Sequence, residues 1–130
     1  MSDVLVDTSV WIEAFRRSRS REAEGLRLLL NRGEVALASP VRIEILSGSS
    51  GPELPRLRRS LSALPLFVPG AETWERVEDW VDRAVKAGRR FGATDLLIAA
   101  VAAENRLPVW SLDKAFSEMA QLGFVSLHKS

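Results

Sequence analysis

Val4-Leu5-Val6-Asp7-Thr8-Ser9-Val10-Trp11 sets the reading of the whole chain. A three-residue apolar run breaks into an acid and two hydroxyl residues, the pattern of a buried strand that stops where a helix begins. That helix is expected to continue through Ala14 and Phe15. The same alternation recurs downstream. Val35-Ala36-Leu37-Ala38, Leu66-Phe67-Val68, Val109-Trp110 and Phe124 to Leu127 read as further strands. Between them, Ser20 can cap a helix with Leu26, Leu29 and Leu30 on its apolar side, stopped by Asn31-Arg32-Gly33. Ser39-Pro40 opens a helix that ends near Ser47-Gly48, with Pro at its start, where a missing N–H costs nothing. A basic helix runs to about Leu64. Thr73 to Lys86 is amphipathic, with Trp74, Val77, Val81 and Ala84 or Val85 on one side. Thr94 can cap an almost wholly apolar, and therefore buried, helix from Asp95 to Asn105, and a short helix covers Asp113 to Gln121. Short apolar strands alternating with helices predict an α/β fold with a mostly parallel central sheet and helices on both faces.

Ligands of such sheets bind beyond the carboxyl ends of the strands. Asp7 and Asp113 directly follow strands, so both are expected at that edge. Each acid also has an ordinary explanation. Asp7 and Asp113 suit helix caps, and Asp95 falls in a first helical turn, where negative charge is favoured. Glu44 is different, because Pro40, Ser47 and Gly48 surround it on the helical wheel and leave room for a ligand to approach. If Asp7, Glu44, Asp95 and Asp113 converge, their repulsion governs the chemistry. Two unit charges about 4 Å apart cost about 4 kcal/mol at an effective dielectric of about 20. A hard divalent cation relieves that conflict. Mg²⁺ takes oxygen ligands, and a pair of such ions can drive phosphodiester hydrolysis.

Composition narrows the alternatives. The chain of 130 residues fits one domain, 1–130, and has no cysteine, which excludes disulfides, zinc–thiolate sites and thiol nucleophiles. No apolar stretch approaches the roughly 20 residues that cross a bilayer. Met1-Ser2-Asp3-Val4-Leu5 lacks the features of a secretory leader, so a cytoplasmic protein is expected. The net charge of +1 hides clusters at Arg16, Arg17, Arg19 and Arg21, at Arg56, Arg58 and Arg59, and at Lys86, Arg89 and Arg90. These clusters fit solvated helix faces or phosphate contacts. Arg16, Arg17, Arg89 and Arg90 are the candidates for holding a nucleic-acid phosphate backbone. Of the four tryptophans, Trp11 and Trp80 are expected to be the more exposed, and the lone His128 is expected at the surface.

The motifs together resemble the PIN-domain ribonucleases, and within them the VapC toxins of toxin–antitoxin pairs. Val4 to Ile12 resembles the opening strand and first acid. Val41-Arg42-Ile43-Glu44-Ile45-Leu46 resembles the glutamate helix. Phe91 to Ala102, containing Ala93-Thr94-Asp95, is similar to the most distinctive segment, and Leu107 to Phe116 to the last acidic motif. The resemblance implies a three-layer α/β/α sandwich and an endoribonuclease dependent on Mg²⁺ or Mn²⁺, with one or two ions. It further implies a homodimer and a cognate VapB-type antitoxin. Asp7, Glu44, Asp95 and Asp113 become the catalytic, metal-holding acids, with Ser9 and Ser111 as small polar neighbours of the site. Ala115 departs from the pattern, since many members carry an acid there. Two other readings stay open. One is an aspartyl-phosphate phosphotransferase with Asp7 as nucleophile, although Ser9 stands where a second Asp is usual. The other is a catalytically inactive RNA-binding or scaffold module. An antitoxin segment is expected to dock on the first two helices, at Trp11, Phe15, Leu26, Leu29 and Leu30.

Overall fold

The computed structural model describes residues 3–129. Met1 and Ser2, on which the reading of a leader-free start partly rests, lie outside the described residues. β1 (Val4–Val6), β2 (Val35–Ala38), β3 (Leu66–Phe67) and β4 (Val109–Trp110) form one sheet in the order β3-β2-β1-β4. All three pairings are parallel. Leu5 pairs with Ala36 on one side and Val109 on the other, and Ala38 pairs with Phe67. Every residue of β1, β2 and β4 is buried, as required of strands covered by helices on both faces. The expected strand from Phe124 to Leu127 is reduced to a single bridge between Val109 and Leu127. Phe124 is used differently: its ring stacks on Trp80, with centroids 4.3 Å apart and planes 6° from parallel.

The helices are α1 (Thr8–Arg16), α2 (Arg21–Asn31), α3 (Ser39–Ser47), α4 (Leu54–Leu61), α5 (Ala71–Lys86), α6 (Ala93–Glu104) and α7 (Lys114–Gln121). Their ends follow the local chemistry. Ser20 Oγ accepts from the Ala23 N–H at 3.0 Å and caps α2. Asp7 and Asp113 cap α1 and α7. α6 begins two residues earlier than expected, with Gly92 as cap and Thr94 already inside the first turn. Its residues from Ile98 to Ala102 are buried without interruption, which suits its near-continuous apolar sequence. Gly25 lets α2 lie close to the sheet, because a Cβ there would stand 2.9 Å from the Trp110 ring.

α5 turns a different face inward from the one expected. Thr73, Trp80 and Ala84 are buried, whereas Trp74, Val81 and Val85 form an exposed stripe. Trp80 is only 3% exposed and Trp11 only 4%, while Trp74 is 55% exposed, so the expected order of the tryptophans is reversed. Burial of Thr73 is satisfied by a 2.6 Å hydrogen bond from its hydroxyl to Glu104 on α6, which locks the two helices together. His128 is partly exposed, its ring 5.6 Å from that of Trp110. A single apolar cluster, from Val4 to Phe124, joins all four strands' surroundings. Among the described residues no helix is long and apolar enough to cross a membrane.

Candidate active site

The strand order places a topological switch between β1 and β4. The chain runs from β1 outward through β2 to β3, then returns to the far side of β1 as β4. Crevices form at the carboxyl ends of strands flanking such a switch, because the connections leave in opposite directions. Asp7 follows β1, and Ser111 and Asp113 follow β4, so the crevice carries acids on both walls. Glu44 reaches it from the middle of α3 and Asp95 from the first turn of α6.

Asp7 is buried and held firmly. Its Oδ2 accepts from the hydroxyls of Ser9 and Ser111, both at 2.7 Å. Each serine oxygen in turn accepts a backbone N–H at 2.9 Å, Ser9 from Leu112 and Ser111 from Asp113. A hydroxyl has one proton, and accepting from an amide leaves that proton to point at the carboxylate. Two relays therefore run from the loop after β4 to one oxygen of Asp7, and leave its other oxygen for a ligand. The capping and site roles are compatible. Asp113 uses Oδ1 to accept the Ala115 N–H at 2.9 Å, again with one oxygen to spare.

Asp95 feels the charge of the other three acids. Burial pushes its carboxyl up to about 6, and repulsion from Asp113, Asp7 and Glu44 adds to that rise. Among the described residues no group of three or more His, Cys, Asp or Glu side chains is arranged to hold a metal ion as the side chains stand. The four acids form an open, like-charged group of oxygen donors. Such a group fits a hard divalent cation, whose charge offsets the repulsion and whose remaining positions stay open to water and phosphate.

The arginines divide by position. Arg16 and Arg17 lie at the far end of α1 from Asp7, about 13 Å along a nine-residue helix. Arg17 is paired with Glu13 at 3.5 Å. Arg89 is half-buried and braced on α7, 3.4 Å from Glu118 and 3.1 Å from Gln121 Oε1. Arg90 is exposed in the segment leading to α6. Thr8 was not anticipated in the site. It donates to Glu44 Oε1 at 2.5 Å, and no sequence spacing signals a contact across 36 positions.

The expected antitoxin surface is also rearranged. Leu26 and Leu29 belong to the core. Trp11, Phe15 and Leu30 instead line a groove of about 860 Å³ that is completed by Ile45 of α3 and by Leu57 and Leu64 in and after α4. Arg16 and Arg56 stand among its polar residues. Trp11 Nε1 is buried with no hydrogen-bond partner.

Comparison with known proteins agrees with this architecture. The family model described as PIN domain matches residues 4–122. Ribonuclease VapC11 of Mycobacterium tuberculosis is 32% identical over 132 residues, covering 92% of each chain. The VapC ribonuclease Mb1587 of Mycobacterium bovis matches to the same extent. The fold is shared with DNA-bound VapBC from Salmonella typhimurium, at TM-score 0.74 and 17% identity over 98% of both chains. It is shared too with FitAcB from Neisseria gonorrhoeae, at TM-score 0.72 and 21% identity over 97% of this chain and 96% of that one. The chain belongs to the PIN-domain family and, within it, to the VapC ribonucleases.

Proposed function

We propose that the chain hydrolyses RNA phosphodiester bonds in the cytoplasm as the toxin of a VapBC-type pair, using Mg²⁺ or Mn²⁺ held by Asp7, Glu44, Asp95 and Asp113. The observation that carries this reading is the arrival of four acids from four separate elements at one switch-point crevice, close enough to oppose ionisation of Asp95. Bound there, one or two divalent ions would supply an activated water and charge stabilisation for the leaving oxygen.

The chain's own residues prepare that chemistry. The Ser9 and Ser111 hydroxyls fix the orientation of Asp7, so its second oxygen faces the crevice with little freedom left to lose. Asp113 is held by its cap, and Asp95 by the first turn of a buried helix. Arg90 is placed to meet an RNA phosphate, since guanidinium matches phosphate geometry. Clustered acids disfavour the alternative of a passive RNA-binding module, because binding a polyanion gains nothing from added negative charge. Asp95→Asn should fold and lose RNA cleavage. Cleavage at the parent rate by purified D95N, or undiminished cleavage after chelation of divalent ions, would reject this reading.

Control follows from the groove between α1, α3 and α4. An antitoxin segment with an apolar face fits Phe15, Leu30, Leu57 and Leu64, and acids on it would meet Arg16 and Arg56. A homodimer completes the reading, and the exposed stripe of Trp74, Val81 and Val85 on α5 is apolar surface available to a second copy.

A further inference from the structure

We propose that Thr8 is a positioning residue for the ion site, its hydroxyl fixing the Glu44 carboxylate so that one oxygen faces the crevice; this rests on the metal reading above.

The contact is specific. Glu44 in its ionised form only accepts, so Thr8 Oγ1 is the donor, and at 2.5 Å the bond is as short as charge-assisted O–H···O⁻ bonds become. A threonine in a helix ordinarily turns its hydroxyl back to its own backbone. Thr8 instead spends that hydroxyl on a side chain of α3, the helix against which α1 packs. Glu44 needs such a tether more than the other acids. It sits exposed in mid-helix on a long, flexible side chain, whereas Asp7 is buried and clamped and Asp113 is fixed by its cap. Thr8 is half-buried and β-branched, with few rotamers, and so makes a stiff anchor.

The placement also explains why two hydroxyl residues stand together after Asp7. Ser9 serves Asp7 and Thr8 serves Glu44. One helix N-terminus thereby orients acids from two elements and sets their separation before an ion arrives. Pre-arrangement of this kind lowers the ordering cost of binding, and losing such an outer partner typically weakens metal affinity by about 10- to 100-fold.

The test is Mn²⁺ titration of the purified protein without RNA, followed by calorimetry and by electron paramagnetic resonance of the free ion. Thr8→Val keeps the shape and removes the donor, and Thr8→Ser keeps the donor. T8V should bind Mn²⁺ about 10- to 100-fold more weakly than the parent. T8S should match the parent, and T8V should add no further loss in an E44Q background. Thr8→Ala serves in place of T8V if the latter fails to fold by circular dichroism. Parent-like binding by T8V, equal weakness in T8S, or an undiminished T8V effect on top of E44Q would overturn the role of Thr8 alone. A parent protein that binds no Mn²⁺ would overturn the metal reading, and this inference with it.

Discussion

At the scale of single residues, Asp7, Glu44 and Asp113 each have one carboxylate oxygen hydrogen-bonded within the protein and the other left over, whereas Asp95 is set apart by its charge environment. Asp95 gives this arrangement a thermodynamic signature. Its carboxyl is raised from 3.8 to about 6, so the folded metal-free protein holds that proton more tightly than the unfolded chain does. Stability is then greatest below the unfolded value and falls as pH rises through about 6. Partial exposure of Asp95 reduces the size of the effect without changing its sign. Urea unfolding of the chelated protein between pH 4 and 7 should show this decline, and D95N should flatten it. Arg90 offers a second test. Arg90→Gln should weaken RNA binding and reduce the salt slope of its affinity by about 0.7 if one phosphate contact is lost. Asp7, Asp95 and Asp113 were legible in the sequence because each occupies a position that topology determines, after a strand or in a first helical turn, while Glu44, in mid-helix, stood out only by its small neighbours on the helical wheel. Thr8 was not, because its partner is set by how α1 and α3 pack, and nothing in the chain between them records that distance.

At the scale of elements, α1 serves two surfaces. Its first turn holds the acids, and its later residues Trp11 and Phe15 wall the groove shared with α3 and α4. An antitoxin segment in that groove should depend on the apolar side chains that line it. Leu57→Glu should abolish capture of the antitoxin in a co-purification and leave RNA cleavage intact. The element boundaries were mostly readable from caps and turn residues. The orientation of α5 was not, for a definite reason. It carries two adjacent apolar stripes, one through Val77, Trp80 and Ala84 and one through Trp74, Val81 and Val85. Periodicity finds both and cannot rank them. The choice is made by Thr73 bonding Glu104 and by Phe124 stacking on Trp80, contacts supplied by α6 and the C-terminal segment.

At the scale of the whole molecule, the parallel sheet was expected from the alternation of strands and helices, the strand order that creates the switch point was not, and the last strand was overestimated. Phe124 to Val125 has the composition of a strand, but packing of Phe124 on Trp80 draws the segment out of the sheet until Leu127. Ion binding should be felt across the entire fold. Mn²⁺ at about 100 times its dissociation constant should stabilise the protein by about 2.7 kcal/mol, or about 10 °C in melting temperature. D95N should lose most of that gain in a thermal scan. The bare α-carbon of Gly25 has a related consequence for anyone seeking a hardier variant. Glycine inside a helix is ordinarily the first residue to replace, since alanine gains about 0.5–1 kcal/mol there. At this position the added methyl would meet the buried Trp110 ring at 2.9 Å, and overpacking of that kind costs about 1–3 kcal/mol. Gly25→Ala should therefore melt several degrees lower by differential scanning calorimetry. Because Trp110 immediately precedes Ser111, the displaced ring should also loosen the grip on Asp7, and heat tolerance and turnover should fall together.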